Sequence, residues 1–119
     1  VLVEGRTNTD ARRIYESVDT LVDQLFAGWY GALAVELMAL GKPVIAYIRS
    51  EDKSFLPTGM VDDMPIINAT KYSLPAKLEW AMRISDASWF NLQVKSREYV
   101  EKWHSPETVA RRVLSDIDN

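Results

Sequence analysis

Glu36 is the residue in this chain best placed to do chemistry. It is the one charge in residues 32–40, ALAVELMAL, and its helical neighbours three and four positions away are Ala32, Leu33, Ala39 and Leu40. None of these can pair with a carboxylate, and a charge on an apolar stripe is costly unless something satisfies it. Just upstream, Gly28 and Gly31 bracket Trp29 and Tyr30. Glycines let a backbone come close to a ligand, and the first amides of a helix have no internal acceptor. Ala32 and Leu33 are therefore expected to point free N–H groups at an anion, above all a phosphate, with Gly28 and Gly31 letting the backbone come close to it. Glu36 lies more than a turn into the helix, too far along to cap it. A carboxylate beside a phosphate site suits hydroxyl donors, and a ribose supplies two. Plainer readings stand beside these. Glu36 could be capped by the 28–31 turn or face solvent, the glycines could be a turn and nothing more, and Trp29 and Tyr30 could pack in the core or at a rim instead of stacking on a base or sugar.

These groups are useful only where a sheet presents them. In open parallel sheets ligands sit outside the carboxyl ends of the strands, and the patterning predicts such a sheet. Residues 1–3 read as a first strand and 20–26, TLVDQLF, as a second. A central helix over 31–41 is stopped by Gly41, and the apolar run 43–48 suits a parallel strand covered on both faces. A short helix is expected before the second strand, capped by Asn8 or Thr9, with Ile14, Tyr15 and Val18 facing inward. Residues 49–64 read as a long acid-rich loop, because Pro57 and Gly59 argue against regular structure. A fourth strand is expected at 65–68. A helix follows from Ser73 or Pro75, with Leu78, Trp80, Met82 and Ile84 on its apolar side. Another is expected over 85–103, with Phe90, Val94, Tyr99 and Trp103 inward. Ser105-Pro106-Glu107 starts the last helix, whose apolar residues are Val109, Val113, Leu114 and Ile117. The alternation predicts one α/β domain over 1–119, a Rossmann-like three-layer parallel sheet of about four strands with C-terminal helices.

Bulk properties narrow the function. The chain has 119 residues, 47% hydrophobic and 26% charged, which suits one globular domain. A net charge of −3 gives no electrostatic case for nucleic acid. With no cysteine there is no thiol chemistry or cysteine-based metal site, and the one histidine, His104, makes no zinc pattern. No apolar run approaches the ~20 residues that span a bilayer. His104 is expected at the surface or in a capping role, and Arg111 and Arg112 on the wet side of the last helix. Asp23 and Gln24 are read either as facing the crevice or as bonding local backbone.

The stretch GWYGALAVELMALGKPVIA resembles the donor-binding signature of retaining glycosyltransferases of the GT-B architecture, which has the form E-G-F-G-L-x-x-x-E-A-M-A-x-G-x-P-V-I-A. Glu36 matches its second glutamate, Met38 and Ala39 the Met-Ala pair, and Gly41, Pro43, Val44, Ile45 and Ala46 the tail. Tyr30 and Gly31 match the aromatic-glycine pair. The first glutamate falls on Gly28 and the glycine after it on Trp29, so these two positions depart from the pattern. The closing stretch REYVEKWHSPETVARRVLSDI looks like the family's C-terminal helices. The resemblance implies that Glu36 holds the ribose of a nucleoside-diphosphate sugar. It implies that Gly31, Ala32 and Leu33 offer amides to the diphosphate or sugar, with the 28–30 turn beside the donor sugar. It implies a donor substrate and no cofactor or metal, and a cytoplasmic enzyme, in full length peripheral to a membrane. The family's N-terminal acceptor domain and its basic diphosphate clamp are not recognisable here, so the chain is expected to be part of a donor domain, inactive alone. The alternative is a non-catalytic Rossmann-like module that binds a nucleotide or a protein, with an exposed strand edge near 1–5 inviting a homodimer.

Overall fold

The computed structural model describes residue 5 and residues 7–118. The chain is mixed α/β and mostly helical, built on a small parallel sheet. In order come α1 (Asn8–Ser17), β1 (Leu21–Val22), α2 (Ala32–Ala39), β2 (Val44–Ala46), a 3₁₀ segment (Ser50–Phe55), α3 (Thr58–Asp63), β3 (Ile67–Asn68), α4 (Leu74–Arg83), α5 (Asp86–Trp103) and α6 (Pro106–Asp118). Among the described residues the sheet has three strands in the order β1-β2-β3. Leu21 pairs with Val44, and Ile45 with Ile67.

β2 holds this arrangement together. Val44, Ile45 and Ala46 are all fully buried, as an apolar run covered on two sides should be. Successive side chains point to opposite faces. Val44, Ala46 and Ile48 join a cluster with Ala34, Leu37 and Met38 of α2, Met60 of α3 and Tyr99 of α5. Ile45 joins Ile67 and Ala69 in a second cluster, which Leu74, Leu78 and Leu92 cover. Burying a side chain such as Leu37 contributes roughly 1.5–3 kcal/mol. Backbone pairing runs on beyond the strand cores. Asp23 N–H donates to the Ile45 carbonyl at 2.8 Å and Tyr47 N–H to the Gln24 carbonyl at 3.3 Å. The Asn68 side chain extends the other ladder by accepting from the Ile48 amide at 3.0 Å.

α2 ends as its sequence demands. Gly41 has φ +75°, its N–H donates to the Met38 carbonyl, and Lys42 N–H reaches back to the Leu37 carbonyl, both at 2.9 Å. This paired closure needs a left-handed residue after the helix, and glycine adopts it without strain. Arg97 of α5 donates to the Ala39 carbonyl, placing a cation at the negative end of α2.

Several expectations change. Residues 49–64 are not a featureless loop: Pro57 precedes α3 and Gly59 lies in its first turn, where neither disrupts a helical ladder. α1 is capped by the Thr7 hydroxyl, which accepts from Asp10 N–H at 3.2 Å, and not by Asn8 or Thr9. Phe90 and Met82 face solvent, at 64% and 86% exposed, because α5 turns Ser96 and Tyr99 inward and α4 packs on the sheet through Leu74 and Leu78. Val109, Val113, Leu114 and Ile117 of α6 are likewise exposed. The strand expected at 1–3, and with it the strand edge offered for dimerisation, lies outside the described residues.

Gly41→Ala tests the closure of α2. A methyl group there would meet the Gln93 carbonyl at an ordinary 3.7 Å, so the cost is conformational and not steric. Chemical denaturation should show a loss of about 1–2 kcal/mol.

Candidate functional site

Residues 23–31 leave the carboxyl end of β1 and deliver the chain to α2. Three interactions shape this turn. Asp23 Oδ2 accepts from Gly31 N–H at 2.8 Å, which ties the two ends of the segment together. Gly28 has φ +79°, and its carbonyl accepts from Arg49 N–H at 2.9 Å, which binds the turn to the exit of β2. Tyr30 is buried, its ring stacked on Trp29 at 4.9 Å between centroids. Asp23 therefore takes the local-backbone role, while Gln24 is exposed.

The helix start is open. Gly31 is the N-cap of α2 and carries no capping side chain of its own. Among the described residues the N–H groups of Ala32 and Leu33 meet no acceptor. Gly31 differs, since its amide is engaged by Asp23. Of the three amides expected to face an anion, the structure leaves two available and holds a carboxylate at the third.

Glu36 is exposed. The buried face of α2 is Ala34, Leu37 and Met38, and Glu36 shares its row with Ala32 and Leu40, both exposed. Its carboxylate stays in water, so the burial cost that singles it out in the sequence does not arise. Apolar sequence neighbours suggest a buried stripe, but this helix is apolar on its wet side as well. Among the described residues no ion pair involves it. Helical side chains lean toward the N-terminus of their helix, so Glu36 leans over Ala32, about 6 Å down the axis, on the side of the open amides.

At Gly28 the structure explains the departure from the signature. A Cβ there would lie 2.8 Å from Arg49 Cδ and 3.1 Å from its Cγ, and the positive φ disfavours any side chain. The Arg49 stem lies where a glutamate would begin. Its Nε sits 3.7 Å from Asp52 and 3.8 Å from Glu51. Arg49 is a cation in contact with the glycine turn, and nothing in the spacing of the sequence points to it.

Nor does local spacing indicate what Tyr30 touches. Its hydroxyl lies 2.8 Å from Tyr99 Oη of α5 and 2.7 Å from His104 Nε2, at the end of that helix. The rings meet edge to face. His104 also closes α5 through its own N–H, bonded to the Val100 carbonyl at 2.9 Å. Its backbone thus fits the capping role, but its ring is half-buried and engaged. Arg112 is not on the wet side: it donates to the Trp103 carbonyl at 3.3 Å and lies 3.7 Å from Met60 Sδ. Burial, and then the Tyr99 hydrogen bond, raise the Tyr30 phenol well above its ordinary value. Burial and then the Arg112 charge lower the His104 imidazole below its ordinary 6.5.

A cavity of 810 Å³ lies elsewhere. It is lined by Ile66, Ile67, Trp80, Leu92, Tyr99 and Lys102 among others, and by none of residues 28–36. A shallower depression of 590 Å³ is formed by residues 23–27, at the tip of β1 beside the turn. Among the described residues no cluster of three acidic or histidine side chains could hold a metal, and no helix is long and apolar enough to cross a membrane. Compared with protein-family models, curated proteins and solved structures, the chain matches none.

Gly28→Glu should not restore the signature. It should lower stability by about 1–2 kcal/mol from backbone strain alone, read by urea denaturation, with more lost as Arg49 is displaced. The lowered His104 value fixes a pH trend. Because the unfolded chain takes the proton more readily, the stability held by neutral His104 is complete above 6.5 and lost as the pH falls through the interval down to its folded value. Denaturation at a series of pH values should show that step in the wild type and not in His104→Gln.

Proposed function

We propose that the chain is the donor-binding part of a retaining, GT-B-type glycosyltransferase. Such an enzyme moves a glycosyl group from a nucleoside-diphosphate sugar to a hydroxyl acceptor. The reading rests on the resemblance of residues 28–46 to the donor signature. In the structure, what supports it is the open start of α2: amides of Ala32 and Leu33 without an acceptor among the described residues at the carboxyl edge of a parallel sheet, with the exposed Glu36 one turn further on, on the face of Ala32. In this reading the diphosphate lies against Ala32 and Leu33 and the ribose hydroxyls donate to Glu36. Arg49 places a guanidinium beside the turn, where the resemblance left the basic clamp unassigned. The amides and the turn orient the donor and meet charge developing on the leaving diphosphate. The acceptor is presented by a further domain, and the donor-binding unit is inactive alone. The enzyme is cytoplasmic, on this reading, and its sheet is the Rossmann-like one of about four strands.

A second reading is favoured by one observation. Gly28 cannot carry the glutamate that contacts the donor sugar in the resembled family, because its φ and the Arg49 stem both oppose a side chain there. A non-catalytic module that binds a nucleotide or a protein partner would have no need of that glutamate.

Uridine diphosphate serves as the probe. At millimolar concentration it should shift the amide resonances of Ala32, Leu33 and Glu36 in the folded chain. Glu36→Gln should weaken it by about 1–2 kcal/mol, the loss of a charge-assisted hydrogen bond. Unshifted amides would overturn the donor-site reading, and equal affinities would remove Glu36 from the site.

A further inference from the structure

We propose that His104 and Tyr99 position the glycine turn at the start of α2 by gripping the Tyr30 hydroxyl, and that protonation of His104 loosens that grip. The turn and the two gripping residues are 69 and 74 positions apart in the chain, yet Tyr30 Oη lies within hydrogen-bond distance of both Tyr99 Oη and His104 Nε2. Tyr30 and Tyr99 are 6% and 2% exposed, so water cannot easily substitute for a lost partner.

The proton count gives the arrangement a direction. Buried hydroxyl protons need acceptors. With His104 neutral and its proton on Nδ1, Tyr99 O–H donates to Tyr30 Oη, and Tyr30 O–H donates to His104 Nε2. Both hydroxyl protons are then satisfied. With His104 protonated, Nε2 becomes a donor, as in any imidazolium. Tyr30 must then accept from it, and only one of the two hydroxyl protons, Tyr30's or Tyr99's, finds an acceptor in the other phenol, so the second has none among the described residues. The new charge also faces Arg112 of α6, a cation. The other groups bearing on the cluster are the two phenols and Asp63 at the end of α3, which acts on Tyr99. Asp63 is itself engaged by Lys102 Nζ at 2.9 Å and Trp103 Nε1 at 3.0 Å, so it offers the imidazolium no direct partner. Protonation therefore strands a buried hydroxyl and opposes two cations, and the relief is for Tyr30 to withdraw. Tyr30 is bonded through the chain to Gly31, the N-cap of α2. Displacing it moves the amides of that helix start. What this does to a bound diphosphate rests on the glycosyltransferase reading, whereas the coupling itself does not.

Amide spectra of the labelled chain between pH 8 and pH 5 test the coupling without any ligand. In the wild type the Trp29, Tyr30 and Gly31 amides should shift together, with the same midpoint as the His104 ring protons and below pH 6.5. In Tyr30→Phe the His104 ring should still titrate while the turn amides lose that step. His104→Gln should lose the step as well. Turn amides that stay flat through the wild-type His104 transition, or that follow it unchanged in Tyr30→Phe, overturn the proposal. If His104→Gln fails to fold, the wild type and Tyr30→Phe decide the matter. Uridine diphosphate affinity at pH 7.5 and at a pH below the observed His104 ring midpoint supplies the second readout, the probe's own titration being common to both proteins. The wild type should lose at least threefold more affinity than Tyr30→Phe on acidification, and equal losses overturn the loosening. Absence of binding by either protein counts against the donor site, and the amide titration then decides the coupling by itself.

Discussion

Everything in this chain leans on a three-residue strand, Val44-Ile45-Ala46, that has no wet face. Its backbone pairs with β1 on one side and β3 on the other, while its side chains divide between two apolar clusters. A strand so enclosed fixes the register of its neighbours, because a slip of one residue would send Ile45 into the cluster built for Val44 and Ala46. It also fixes where the loops emerge. The exits of β1, β2 and β3 all lie on one edge because the three strands are parallel, and the glycine turn and Arg49 meet there for that reason.

The turn at that edge is held from three directions with three kinds of chemistry. Asp23 ties its end back to its beginning, Gly28 lets the Arg49 stem pass close, and Tyr30 is anchored in the cluster shared with α5. The first two are local to the sheet edge. The third connects the start of α2 to the junction of α5 and α6, so the last helices help set the geometry of a loop far from them in sequence. Arg112 takes part by anchoring α6 to the Trp103 carbonyl, one residue before His104. The Asp23 carboxylate also has an electrostatic effect. It lies at the positive end of α2 and engages the Gly31 amide, so it opposes a second anion at that end while the Ala32 and Leu33 amides meet no acceptor among the described residues.

Much of the architecture is legible from local signals. The apolar run at 43–48, the Gly41 stop and the Ser105-Pro106-Glu107 start each correspond to a feature of the structure. The Ser105 hydroxyl does accept from Thr108 N–H, at 3.3 Å. Local signals overstate strand extents, since apolar β-prone residues continue past the point where ladder pairing ends: among the described residues Leu25 and Phe26 have no partner strand. They overstate inward faces too. Phe90, Met82 and the apolar residues of α6 have helical spacing, but spacing identifies a face without saying that anything covers it.

Composition and local spacing settled what could be settled by short-range forces: which segments coil, where glycine must end a helix, which strand has to be interior, and that residues 28–46 carry a signature-like order of glycines, acid and apolar positions. The fold alone decided the rest. It put Glu36 on the wet side of α2, engaged Gly31 with Asp23, brought Arg49 against Gly28, and joined Tyr30 to Tyr99 and His104. Most of those are contacts between residues distant along the chain. They follow from how helices stack on a sheet, a packing outcome in which every element takes part and which no window of neighbouring residues contains.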